Sequence, residues 1–313
     1  MNLLFGTRNG VFRGAPSELD EAVRVLDCDR VLRVRSFGPR TYAATRGGLY
    51  RSLDAGRSWT RIETPRPEVY SVLEHPVGER LFVGTHPAHL YRSTDAGETW
   101  AECEGLQALP SRESWHTPRH RDEAHVRALR AAGDDRLVAG IEVGGVHCSE
   151  DGGETWSERR EGLHDDVHHV LVVDDDEWVA STGDGLFRTD DAGRTWRRLD
   201  SGLDHGYFRE AFVHEGRLYA AATSGAPPTW DGPRGTDAAL FEATDGETIR
   251  PVEYAGGPGE FVLSFTAVDG QVYAGTTAGS ILRRDPEGWF GVGSVSSEVA
   301  SMTAVADPDG DAE

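Results

Sequence analysis

Lysine is absent from this 313-residue chain, so all 32 of its permanent side-chain cations are arginine. Against them stand 53 Asp and Glu residues, and the formal net charge is −21. Such a balance repels phosphate backbones and anionic headgroups, which excludes general nucleic-acid binding and docking on acidic membranes. No run approaches the ~18 apolar residues that a membrane-spanning helix needs. Cysteine is scarce. Cys28, Cys103 and Cys148 are odd in number and far apart, forming neither a disulfide framework nor a CxxC metal pair. Three small buried thiols are expected. The segment Met1 to Arg8 has neither a basic stretch nor a long apolar run, so it does not read as a signal peptide, and a cytoplasmic monomer is expected. An acidic, lysine-free composition suits a salt-loaded cytoplasm, where carboxylates hold water and salt screens their repulsion; it reads as halophilic. The 38% hydrophobic content is low but enough for a core.

One phrase recurs along the chain: a strand ending in Gly-Thr or Ala-Thr, a tight turn, an apolar strand, then Ser-x-Asp-x-Gly-x-Thr-Trp. Full copies carry Asp54 and Trp59, Asp95 and Trp100, Asp151 and Trp156, and Asp191 and Trp196. Weaker copies run Leu218 to Ile249 and Val272 to Trp289, and a partial one opens the chain at Leu3 to Phe12. The anchors Thr7, Thr45, Thr85, Ile141, Thr182, Thr223 and Thr276 are spaced 38, 40, 56, 41, 41 and 53 residues apart. A period near 40 built from short alternating strands predicts an all-β, seven-bladed β-propeller of four-stranded antiparallel blades. The last inner strand, 299–306, lacks a successor, and the first unit lacks its own inner strand. Pairing the two would close the ring and remove two open sheet edges. One domain is expected over 1–313, with blades at 299–306 plus 2–27, 30–62, 68–103, 124–159, 166–199, 207–253 and 260–292.

The Ser-x-Asp-x-Gly-x-Thr-Trp turn resembles the Asp-box, or BNR, repeat of sialidases, sortilin-type receptors and photosystem assembly factors. The whole chain also resembles prokaryotic repeat propellers often labelled glycosyl hydrolases. That likeness rests on the turns, on Ser111 to Trp115, on Gly140 to Val146 and on Arg234 to Leu240. It implies a structural role for the turn Asp and Trp residues: the Asp accepts amide bonds in its own turn, and the Trp fills space between blades.

Strand alternation puts the repeated turns on one face and the blade-to-blade connections on the other, here called the top. Two insertions fall at the top. Glu104 to Ala124 contains Trp115, His116 and His120, and Ser224 to Ala238 contains Trp230. Nine of the 12 histidines map there too. The inner strands should place Arg33 or Arg35, Tyr70, Arg127, His168, Arg209 and Ser301 at one level of the channel. The next turns add Arg8, Arg46, His86 and Glu142. Cations gathered against so negative a global field point to an anionic ligand, which arginine grips bidentately.

The sequence therefore predicts a top-face funnel for a small anionic or carbohydrate-like molecule, possessing a glycoside-hydrolase-like chemistry in one version. Arg8, Arg46, Tyr70, His86, Trp115, His116, Arg127, His168, Arg209 and Trp230 would bind it, and Glu142, Glu210 and Tyr207 would carry catalysis. The Arg-Ile-Pro signature of sialidases is absent, since Arg61-Ile62-Glu63 closes a repeated turn, so true sialidase activity is not expected. Two other readings stand beside this one. His116, His120, His125, His168 and His169 offer ligands for a divalent metal. The long loops could equally grip a protein partner, as a non-catalytic interaction or assembly propeller does.

Overall fold

The computed structural model describes residues 1–117, 121–231, 235–244 and 246–306. Its second strands, such as Leu81–Thr85 and Leu137–Glu142, are buried along their whole length, as strands packed between neighbouring blades must be. The strands form seven sheets of four antiparallel strands arranged as a ring. Blade one combines Val299–Val305 with Asn2–Thr7, Gly10–Gly14 and Val23–Leu26. Its innermost pair runs from Asn2 opposite Val305 to Thr7 opposite Val299, so the two ends of the described chain close the ring as expected. The inner strands of blades two to seven are Val31–Phe37, Val69–Glu74, His125–Ala131, Val167–Val172, Tyr207–His214 and Val262–Val268.

The recurring Gly-Thr has two separate causes. A Cβ added at Gly84 would lie 2.6 Å from the Val126 side chain, and one at Gly275 would lie 2.3 Å from Val299. Each glycine thus lets the first valine of the next blade pack against its strand. The threonine closes the following turn: the Thr7, Thr45 and Thr182 hydroxyls donate to the Gly10, Gly48 and Gly185 carbonyls at 2.9, 2.8 and 2.9 Å.

The repeated turns share one hydrogen-bond pattern. In blade three the Ser93 hydroxyl donates to Asp95 Oδ1 at 2.7 Å and accepts from the Gly97 amide at 2.8 Å. Asp95 also accepts from the Thr99 amide at 2.9 Å and hydroxyl at 2.5 Å. The Thr99 hydroxyl and amide, with Ser93, hold the Asp95 carboxyl down at about 2. Trp59 and Trp156 donate to Gly56 and Gly153 carbonyls of their own turns. Trp100 and Trp196 instead reach Glu63 and Arg159, past the outer strands of the preceding blades. Trp59 packs with Leu4 and Val11 of blade one, and Trp100 with Tyr42 and Ile62 of blade two. Cys103 and Cys148 are buried as expected, whereas Cys28 is half-buried near the edge of blade one.

Each blade's innermost pairing slips once. The ladder skips Leu32, Tyr70, Arg127, His168, Arg209, Leu263 and Ala300, so each is the extra residue of a β-bulge. Bulges re-aim side chains. Here they recur at one height around the ring and set the walls of the upper channel.

Candidate functional site

The bulge residues Arg127, Arg209 and Leu263 enter a top-face cavity of about 350 Å³. Arg8 and Arg30 line it from loops, Tyr207, Trp230 and Phe261 supply aromatic surface, and Glu142, Asp166 and Glu298 supply carboxylates. Beside it a smaller space of about 110 Å³ is lined by Arg46, Tyr70 and His125, and it shares Arg30, Arg127 and Arg209. The level expected from simple alternation needs one correction. Tyr70, Arg127, His168 and Arg209 do occupy equivalent positions, but Leu32 and Ala300 complete the ring, not Arg33 or Arg35 and Ser301. The bulge shifts the inner strands by one residue.

Most of the funnel's charges are already matched. Glu298 takes Arg8 at 3.1 Å and Arg30 at 2.5 Å. Glu142 takes Arg127, and His125 Nε2 lies 2.9 Å from it. Arg209 and Arg46 are different. Among the described residues neither guanidinium has a carboxylate partner; Arg209 is half-buried and Arg46 exposed. The aromatic wall shares a cavity with Arg209: Trp230 meets Tyr207 edge-on at 6.5 Å and Phe261 at 5.9 Å, while its indole N–H donates to the Gly225 carbonyl at 2.9 Å.

Several expected ligand residues lie elsewhere. Trp115 is only 2% exposed and belongs to the core between blades three and four. Its indole donates to Ser111 Oγ at 3.1 Å and its ring faces His147 at 4.9 Å. An aromatic in a polar insertion suggested a ligand stack, but the insertion folds back and uses it as an anchor. His116 stays outside both cavities, exposed near Asp122. His86 is buried and hydrogen-bonded to Glu68 at 2.8 Å, with Arg121 also at its Nδ1. Its ring meets Tyr70 and His125, forming an internal aromatic cluster.

The carboxylate pair proposed for catalysis is not brought together. Glu142 lines the upper cavity, whereas Glu210 lines a separate cavity below it and pairs with Arg33. Alternation through the bulge sends Glu210 down, because Arg209 takes the upward position. Tyr207 lies in the upper wall, its ring 4.6 Å from His168.

The expected histidine cluster is likewise dispersed. His125 faces Glu142, His168 faces Asp166 at 3.5 Å, His169 meets Arg130, and His116 is on the rim; His120 falls outside the described residues. What the fold does gather is Glu142, Asp166 and His168, whose ligand atoms lie within 4.8 Å of one another. His168 Nδ1 hydrogen-bonds the Phe208 carbonyl at 2.6 Å, which fixes the tautomer and leaves Nε2 turned toward Asp166. Arg127 already provides a positive charge against Glu142 there.

No family model matches the chain, and no curated protein matches it either. Many solved structures share its fold. An ancestral GH74 enzyme superposes with a TM-score of 0.63 at 15% identity, over 83% of this chain and 38% of that one. The GH74 xyloglucanase of Xanthomonas campestris gives 0.59 at 18%, over 83% and 45%. YCF48 bound to D1 peptide gives 0.57 at 17%, over 83% and 81%. The chain thus spans under half the length of these GH74 enzymes but most of YCF48. At identities this low the likeness shows a shared propeller fold and nothing beyond it.

Proposed function

We propose that the top-face funnel binds a small anionic molecule, held by Arg209 and Arg46 against the Tyr207–Trp230–Phe261 wall. The observation that carries this reading is the state of the two arginines. Neighbouring Arg8, Arg30 and Arg127 all have carboxylate partners, while Arg209 and Arg46 have none among the described residues. A half-buried guanidinium without a counter-charge is a costly arrangement that an oxyanion relieves with two parallel hydrogen bonds. A sugar acid suits the site, since its carboxylate would meet Arg209 and its ring would lie on the aromatic wall. Binding is preferred to glycoside hydrolysis, because Glu142 and Glu210 do not share a cavity.

A second reading takes an acidic peptide as the anion. It is favoured by the likeness to YCF48 bound to D1 peptide, in which each chain covers most of the other. Calorimetric titration with sugar acids, di- and tricarboxylates and short acidic peptides, at low and high salt, tests both readings. Saturable binding that weakens at least tenfold in Arg209→Gln is expected. The reading fails if no anion saturates, or if wild type and variant bind alike.

A further inference from the structure

The channel continues below the funnel, and its lower half presents a different chemistry. A cavity of about 210 Å³ there is lined by Arg33, Arg35, Arg130, His169 and Glu210, with Ser36 and Thr266 among its smaller polar residues. It adjoins a wider mouth of about 650 Å³ on the face opposite the funnel, and Arg35 and Arg130 line both.

Counter-charge is short at this level. Among the described residues Glu210 is the one carboxylate lining the smaller cavity, and it is taken by Arg33 at 3.0 Å. At the wider mouth Glu74 is engaged by Arg40 at 2.5 Å and by the Tyr42 hydroxyl at 2.9 Å, and Glu79 is exposed at the rim. Arg35 and Arg130 have no carboxylate partner among the described residues. Both guanidiniums instead donate to the same acceptor, the Leu129 carbonyl, at 3.4 and 2.7 Å. Two cations therefore converge on one neutral oxygen.

His169 adds a third donor. It is 3% exposed, and its Nε2 accepts from Arg130. That bond puts the ring proton on Nδ1, which is buried with no hydrogen-bond partner. The surrounding charges agree with this geometry. Burial and then Arg33 bring Arg35 down to about 10, and burial with Arg35 and Arg33 lowers Arg130. Burial and Arg130 keep His169 well below the usual imidazole range, so it is neutral. An uncompensated donor set of this kind is unfavourable when empty and strongly favourable around an oxyanion.

We propose that Arg35, Arg130 and His169 form a second binding site, for a small tetrahedral oxyanion of the phosphate or sulfate type, entered from the face opposite the funnel. The site is separate from the proposed funnel site. The Arg33–Glu210 pair lies between them, with Arg33 lining the cavities on both sides.

The test is titration of the Arg209→Gln protein, in which the funnel's own anion contact is removed, with inorganic phosphate and with sulfate. Sodium chloride at matched ionic strength is the control, and calorimetry and thermal unfolding are the readouts. Saturable binding with about one equivalent, and a rise in Tm beyond the chloride control, are expected. Adding Arg130→Gln or Arg35→Gln should weaken binding at least tenfold and abolish the Tm response. Should either glutamine variant fold poorly, Arg35→Lys keeps the charge but lacks the fork, and a several-fold loss is expected there. Preference for phosphate over sulfate would mark a protonated anion accepting and donating in the site; equal binding would mark a pure acceptor, and both support it. The proposal is overturned if neither anion exceeds the chloride control, or if the Arg35 and Arg130 variants bind as well as their parent.

Discussion

Arg33 of blade two and Glu210 of blade six meet at 3.0 Å across the channel axis, although their blades are not neighbours in the ring. Their side chains are 11% and 9% exposed. Ser264 Oγ lies 3.5 Å from the second Glu210 oxygen, and Ser264 also accepts the Met302 amide at 3.0 Å. The pair is thus tied into blades seven and one. Removing one partner of a buried ion pair leaves the other uncompensated and costs about 3–5 kcal/mol. Glu210→Gln should lose stability on that scale in denaturant titrations, whereas Arg33→Met with Glu210→Met together should lose far less.

Arg209 stands apart from this network. Because it makes no ion pair among the described residues, Arg209→Gln should change folding stability by no more than about 0.5 kcal/mol while removing anion binding in the funnel. Denaturant midpoints measured beside calorimetric affinities separate the two effects. Trp230→Ala should weaken a ring-bearing ligand but leave the affinity for a simple carboxylate nearly unchanged.

Trp115 predicts the opposite pattern. Its burial in the core between blades three and four makes Trp115→Ala a cavity-forming change, with an expected cost of about 3–5 kcal/mol. Funnel affinity should survive, since Trp115 does not line that cavity. Chemical denaturation together with a funnel-ligand titration checks both parts.

Acid should weaken the fold through its interior histidines. Burial lowers His147 to about 4, and burial also lowers His168 and His169. The unfolded chain takes up these protons near pH 6.5 and the folded chain does not, so the stabilisation is present above pH 6.5 and is lost as pH falls toward 4. For His147 the shift from 6.5 to about 4 corresponds to about 3 kcal/mol. Stability measured across this window should fall more steeply for wild type than for His147→Gln.

The thiols should be inert in the native state. Burial pushes Cys28 and Cys103 up to about 12 and Cys148 up to about 11, so little thiolate is present at pH 8. A disulfide exchange reagent at pH 8 should label native protein slowly and all three thiols rapidly after denaturation.

The ring was legible because its period is written in residues that serve the backbone. The Gly-Thr pairs and the Ser-x-Asp-x-Gly turns each satisfy a local steric or hydrogen-bond demand, so they recur wherever a blade recurs. The channel was only partly legible. Tyr70, Arg127, His168 and Arg209 could be aligned with one another, but the direction of each depends on a bulge, and strand alternation carries no mark of one. That single-residue slip separates Glu210 from Glu142 and sets Leu32 in the place expected of Arg33. Trp115 misled for another reason. Its polar neighbours describe a loop, but only tertiary packing reveals that the loop turns its aromatic inward. The lower arginine cage joins Arg35 and Arg130, and no spacing rule links two inner strands from non-adjacent blades.

The repeated bulge also divides labour within each inner strand. Residues paired in the ladder hold the inner strand to the next strand of its own blade, while the one skipped residue is free of that duty. The seven skipped positions carry Leu32, Tyr70, Arg127, His168, Arg209, Leu263 and Ala300, which differ widely in size and charge. The propeller therefore carries a rosette of seven side chains that the ladder itself does not use. A change of side chain there alters the channel wall without touching the backbone hydrogen bonds of the ladder.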